Sequence, residues 1–291
     1  MTALFSLFKC ALIEEICGFM EQSVYVICIH YKSAILALLL GQDLDLINIF
    51  KGEFMDHKTR FNLELISNAT VSMQLLKRGI RNVFMAGPKP QNVPTKPIVG
   101  EAFTLRYVPM REDLSVPEVL GGEKSPPRLA IENTPAGAIL VIDGRGRADI
   151  AAVGDILVER LKFRKVGGIV SDGGIRDYEE CLAADFPIYA AGPASPASIH
   201  GHSAADLQTP IQCGGVAVFP GDIIKGDGDG VMVIPHALAK EVAHDGVEQE
   251  RYERFAKEQV SQGAKVTDVY PATKKSRLDY NDWLQKGEPN D

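Results

Sequence analysis

Two charged pairs, Gly154-Asp155 and Arg176-Asp177, bound a 24-residue run, GDILVERLKFRKVGGIVSDGGIRD, whose two ends carry groups suited to a charged oxygen ligand. An aspartate holds a divalent cation through its oxygens, and an arginine clamps a carboxylate with two parallel hydrogen bonds. The free amides at the start of a helix favour an anion. Together these are the groups needed to bind and polarise a 2-oxo acid. They can act on one ligand only if the helix read over Asp155 to Lys165 packs back across the strand read over Val166 to Ser171, so that both ends converge.

Other candidate motifs carry less. The stretch DGRGRAD, Asp143 to Asp149, lacks the third glycine of a dinucleotide fingerprint and reads as a turn. GDGDG, Gly226 to Gly230, lacks the terminal glutamate of a calcium loop and reads as a hairpin turn. His200 and His202 would share a face on a strand, but no third ligand lies nearby, which disfavours zinc. The stretch EQERYERFAKEQ lies in a long charged helix pattern, Ala237 to Gln262, with the character of a solvated surface helix.

The elements that must position the charged pairs follow from periodicity. Leu65, Ala69, Met73 and Leu76 recur at helical spacing, and Gly79 can stop that helix. Strands are expected over Val99 to Val108, Ala138 to Asp143, Val166 to Ser171 and Ile188 to Ala190, with a helix over Tyr178 to Ala184. Residues 109 to 127 are rich in proline, glycine and charge and read as mostly loop. Further strands are expected over Ile211 to Phe219, Asp222 to Lys225 and Gly230 to Ile234. Strands alternating with helices imply an α/β layer, and residues just past the carboxyl end of its buried strands are where such folds place ligands.

Bulk properties set outer limits. With 291 residues and 45% apolar content the chain can bury one substantial core. A net charge of -7 and a pI near 5.5 argue against a broad nucleic-acid footprint. The cysteines, Cys10, Cys17, Cys28, Cys181 and Cys213, are odd in number and form no CxxC pair, which fits a reducing cytoplasm. Residues 1 to 54 differ in character from the rest. Their longest apolar run, Ala34 to Leu40, is too short to span a bilayer, and Glu14, Glu15 and Glu21 interrupt any signal-peptide pattern. We divide the chain into residues 1–54, an extension read as an over-extended gene start or a poorly ordered tail, with a genuine helical appendage as the alternative, residues 55–245, the α/β domain, and residues 246–291, a C-terminal helix and tail.

The spacing from Asp155 to Arg176-Asp177, together with VSDGGIRD, VIDGRG and CGGVAVFPGDIIKGDGDGVMVIP, resembles the RraA-like family from about Leu63 to Ala239. That family includes a regulator of ribonuclease activity and metal-dependent 4-hydroxy-4-methyl-2-oxoglutarate/4-carboxy-4-hydroxy-2-oxoadipate aldolases. The resemblance implies a swivelling β/β/α layered domain, related to phosphohistidine domains and assembled as a homotrimer or homohexamer. By position, Asp177 resembles the direct Mg2+ or Mn2+ ligand and Arg176 the contact to the substrate carboxylate and oxyanion. Asp155 resembles the holder of metal-bound water, and the amides around Ile156 and Leu157, after Gly154, would receive the pyruvoyl carboxylate. A glutamate from a neighbouring subunit, Glu250 or Glu253, would complete the site. The implied activity is cleavage of a 4-hydroxy-2-oxo acid to pyruvate through an enolate, with oxaloacetate decarboxylation beside it and neither nucleic acid nor membrane as partner. A non-catalytic regulator, or another metal-dependent reaction on a 2-oxo or sugar acid, is the alternative. The stretch Pro109 to Pro127 and the IHGH segment depart from the aldolase pattern. If residues 1–54 are dispensable, a chain begun at Met55 will express as a folded protein with a cooperative thermal transition, and an aggregated product would refute this.

Overall fold

The structure is a computed structural model that describes residues 55–92, 96–113 and 115–287. The extension expected over residues 1–54 lies outside them. The described chain opens with α1 (His57–Leu65) and α2 (Asn68–Lys77), and continues through β1 (Lys89–Pro90) into β2 (Ile98–Pro109). Next come α3 (Pro117–Gly121), α4 (Pro126–Asn133), β3 (Ile139–Asp143), β4 (Ala151–Val153), α5 (Asp155–Phe163), β5 (Gly168–Ser171), β6 (Gly174–Ile175) and α6 (Tyr178–Ala183). A β-rich stretch follows, with β7 (Ile188–Ala190), β8 (His202–Leu207), β9 (Ile211–Cys213), β10 (Val216–Val218), β11 (Ile223–Asp227) and β12 (Gly230–Ile234). The chain then turns into α7 (Ala239–Ser261), α8 (Val266–Val269) and α9 (Lys274–Gln285).

The main sheet runs β1-β7-β5-β3-β2-β11-β12, with β8 also paired to β2. Strands β2, β3, β5 and β7 are parallel neighbours, so their carboxyl ends lie together. Both faces are covered, which explains why AILVID and GGIVS read as continuous apolar runs and not as alternating ones. Leu140 and Ile142 face a core shared with α4, α5 and α6. Ile139 and Val141 face a second core closed by the β9–β10 hairpin through Ile211, Cys213, Val216 and Val218. The result is the expected layering of hairpin, sheet and helices. A third cluster joins α1, α2 and the start of α7 to β11 and β12.

Three expectations need correction. The single helix read through Leu65, Ala69, Met73 and Leu76 is two helices, because the Ser67 hydroxyl accepts from the Thr70 amide and starts α2 afresh. The core-facing residues are therefore Leu63, Ile66, Val71 and Leu75, whereas Leu65, Met73 and Leu76 are exposed. The strand read over Ile211 to Phe219 is a hairpin, since Gly214 and Gly215 both adopt positive φ and reverse the chain. The loop read over residues 109 to 127 contains α3 and the first two residues of α4.

Polar groups tie the N-terminal helices to the sheet. Glu250, on α7, accepts hydrogen bonds from the Ser67 amide (2.8 Å), the Ser67 hydroxyl (2.8 Å) and the Thr70 hydroxyl (2.7 Å). Burial opposes its charge, but these donors and Lys225 hold its carboxyl below the usual range. Lys225 itself is fully buried, donating to Asn68 and Asp227. Burial pushes the Lys225 ammonium down, and Asp227 works against that shift. Glu250→Ala leaves three donors without their acceptor, so it should cost about 1–3 kcal/mol in urea unfolding with an unchanged m-value. A loss below about 0.5 kcal/mol would show that this tie is dispensable.

Candidate active site

The two ends of the 24-residue run meet. Strand β4 leads into Gly154, and β6, parallel to it, leads into Arg176. The Arg176 amide donates to the Val153 carbonyl at 3.0 Å, which locks the second end beside the first. Gly154 is the N-cap of α5 in extended conformation, and Asp155 is the first helical residue, where a carboxylate is favoured by the helix dipole. Arg160 and Lys162 complement the other end of α5, and Val158 and Leu161 anchor its inner face.

At Gly154 a β-carbon would stand 2.6 Å from Asp177 Oδ2 and 2.9 Å from Arg176 Cγ. The absent side chain leaves the space into which the Asp177 and Arg176 side chains fold, and any larger residue would have to displace them. Asp177 takes the left-handed conformation, with φ 52° and ψ 51°, at the N-cap of α6. This kink turns the chain from β6 into α6 and leaves Arg176 and Asp177 exposed on the surface. Under them lies Cys181, fully buried, its thiol donating to the Arg176 carbonyl at 3.3 Å. Burial, followed by the charges of Asp155, Asp177 and Glu180, pushes this thiol up to about 11.

The remaining expected residues fall as follows. The Ile156 amide donates to Asp155 Oδ1 at 2.7 Å and the Leu157 amide to the Gly154 carbonyl at 3.1 Å, so both amides have partners within the helix start. The Ile156 side chain is largely exposed. Glu250 caps α2, and Glu253 accepts from Gln249 on the same helix. Neither joins the Arg176 pair within this chain. His200 lies on a single 3-10 turn and is exposed, while His202 is buried at the start of β8, so the two histidines do not share a face.

Two buried polar groupings escaped sequence reasoning. Asp143 and Asp172 end the neighbouring strands β3 and β5, and the Gln212 amide donates to both at 2.9 Å. Burial pushes the Asp143 carboxyl up, with Asp172 adding to the shift and hydrogen bonds from Gln212 and Arg145 opposing it. Their signal was an aspartate closing each apolar run. His202 stacks on Tyr107 with ring centroids 5.1 Å apart. Burial first, then Arg145 and Arg147, pushes His202 down to about 4, leaving a neutral imidazole.

As a metal centre, the arrangement offers hard carboxylate oxygens from Asp155 and Asp177 beside a helix start. Among the described residues no group of three His, Cys, Asp or Glu side chains forms a metal cluster. Two carboxylates suit Mg2+, which keeps several of its waters. Among the described residues no helix is long and apolar enough to cross a membrane.

A model of the RraA-like family, described as aldolase/RraA, matches residues 66–233. Over 125 residues the chain is 36% identical to a Halalkalibacterium halodurans protein named putative 4-hydroxy-4-methyl-2-oxoglutarate aldolase, covering 43% of this chain and 59% of the relative. A protein of the same name from Ectopseudomonas mendocina is 35% identical over 103 residues, covering 35% of this chain and 63% of the relative. The chain thus spans about three-fifths of the length of these curated relatives. Among solved structures, a Streptomyces coelicolor protein described as an unusual member of the RNase ES inhibitor RraA family superposes with TM-score 0.62 at 30% identity, covering 70% of this chain and 98% of that one. An uncharacterized Pseudomonas syringae protein gives TM-score 0.62 at 26% identity, covering 74% of this chain and 98% of that one.

The His202 environment has a measurable consequence. Its folded pKa lies below the unfolded value of about 6.5, so the unfolded chain takes up the proton first as pH falls. Stability from this group is complete above about pH 6.5 and is lost progressively down to about pH 4, on the order of 3 kcal/mol. His202→Phe keeps the ring stack and should flatten this part of the stability profile, measured by urea unfolding at stepped pH. An unchanged slope would place the acid sensitivity elsewhere.

Proposed function

The chain belongs to the RraA-like family, and from that premise we propose that it is a divalent-metal-dependent carbon-carbon lyase releasing pyruvate from 4-hydroxy-2-oxo acids. The substrates of that reading are 4-hydroxy-4-methyl-2-oxoglutarate and 4-carboxy-4-hydroxy-2-oxoadipate, with oxaloacetate decarboxylation as a side activity. The observation that carries it is the meeting of Arg176-Asp177 with Gly154-Asp155 across the missing β-carbon of Gly154. The names of the relatives from Halalkalibacterium halodurans and Ectopseudomonas mendocina support the same reaction class.

In this reading Asp177 would hold Mg2+ or Mn2+ directly and Asp155 would hold a water of its shell. When bound, the cation supplies a Lewis acid for a carbonyl oxygen, at which the electrons of a breaking C3–C4 bond must collect. Arg176, partly exposed and one residue from Asp177, has the reach and charge to place N–H donors on the same oxygen. Such charge-assisted bonds strengthen as the oxyanion develops, and one well-placed donor is worth about 3 kcal/mol. The α5 start, with Gly154, Ile156 and Leu157, forms the positive end that faces the pyruvoyl carboxylate, its amides exchanging their internal partners for the ligand. Asp155 would orient the water that takes the 4-hydroxyl proton. Since Glu250 is committed to α2, Glu253 is the better candidate for the acidic group contributed by a neighbouring copy in a homotrimer or homohexamer. A reducing cytoplasmic setting fits the free buried thiols of Cys181 and Cys213.

Pyruvate release from 4-hydroxy-4-methyl-2-oxoglutarate and from oxaloacetate, with and without Mg2+, tests this reading. Arg176→Ala should lower kcat by about 100-fold to 1,000-fold, and Asp177→Ala should abolish the metal-stimulated rate. Gly154→Ala should lower kcat/KM by about 10-fold to 100-fold by displacing both side chains, without unfolding the protein. A wild type inactive on both substrates with metal present, yet binding a ribonuclease, would replace catalysis by a regulatory role. Wild-type activity in Asp177→Ala would remove the metal assignment.

A further inference from the structure

Arg176 and Asp177 are bonded to each other. Arg176 Nε donates to Asp177 Oδ2 at 3.1 Å, with the two side chains 47% and 37% exposed. The same Oδ2 is the atom lying nearest to where a Gly154 β-carbon would be, 2.6 Å away. One edge of the carboxylate is therefore turned to the start of α5 while carrying its neighbour's guanidinium.

Resting on the reading of Asp177 as a metal ligand, we infer that this ion pair is a built-in competitor for the metal. The guanidinium occupies the carboxylate oxygen until a divalent cation displaces it, and displacement frees Arg176 to meet the substrate. The charges favour this order. A partly exposed ion pair is weakly held, so a dication that binds the same carboxylate outcompetes a single positive charge. A guanidinium left a few ångströms from that dication is repelled and turns outward. The oxo acid then meets the whole guanidinium fork, its Nε–H included, only after the metal has bound. Metal affinity is correspondingly held below what Asp177 and Asp155 alone would give.

The probe is Mn2+ alone, titrated into the full chain and followed by the electron paramagnetic resonance of the free ion. Arg176→Ala and the better size match Arg176→Gln should each bind Mn2+ about 3-fold to 10-fold more tightly than wild type. Unchanged or weaker binding in both variants, with Asp177→Asn having lost binding, overturns the competition while leaving Asp177 as the ligand. Wild-type Mn2+ binding in Asp177→Asn overturns the ligand assignment itself. A second measurement needs no metal: pyruvate titrated calorimetrically into metal-free protein. Asp177→Ala removes the acceptor, releases Arg176 from its partner and should bind pyruvate several-fold more tightly than metal-free wild type. Equal or weaker pyruvate binding counts against the competitor role.

Discussion

One backbone hydrogen bond, from the Arg176 amide to the Val153 carbonyl, sets the two halves of the candidate site side by side. It is the last rung of the short parallel ladder between β4 and β6, which lies apart from the main sheet. Without that ladder Asp155 and Arg176 would be two surface residues separated by a helix and a strand. With it, α5 and β5 become the connection of one closed turn whose ends touch. The rung needs no special side chain, whereas the glycine at position 154 leaves room for the Asp177 and Arg176 side chains to fold over the start of α5.

Much of this was legible in the chain before any coordinates. The apolar runs AILVID and GGIVSD revealed the buried parallel strands because a sheet covered on both faces tolerates no polar alternation. The two charged ends of the run around α5 were expected to converge, and the β4–β6 pairing does set Gly154 beside Arg176. What stayed hidden was hidden for physical reasons. The break between α1 and α2 depends on Ser67 capping a new helix, and a serine in a helical pattern carries no periodic signal. The β9–β10 reversal depends on Gly214 and Gly215, which within an apolar stretch read as ordinary strand interruptions. The ladder of β4 and β6 is three and two residues long, below the length at which alternation can be seen.

Buried polar contacts set the relation between layers that apolar packing leaves free. Gln212 reaches from the hairpin to Asp143 and Asp172, and the Gly214 amide donates to Asp172 as well, so the hairpin is pinned to the carboxyl ends of β3 and β5. On the other side Lys225, Asn68, Asp227 and Glu250 fasten the N-terminal helices to the β11–β12 edge. Hydrophobic burial is indifferent to small slides of one layer over another, whereas these directional bonds are not. The candidate pairs follow β4 and β6 at the starts of α5 and α6, and α5 packs against the main sheet through Val158 and Leu161.

The second half of α7 has a different partner from the first. Tyr252, Phe255, Val269 and Tyr280 form a satellite cluster with Trp283, whose indole donates to Glu258 at 2.8 Å. Trp283 is the single tryptophan of the chain. Intrinsic indole fluorescence is therefore a local witness: it reports the docking of α9 on α7, some distance in sequence from Asp155 and Asp177. A fluorescence melt and a far-ultraviolet dichroism melt of this protein observe different events, and their midpoints coincide only if the satellite cluster and the layered domain unfold as one cooperative unit.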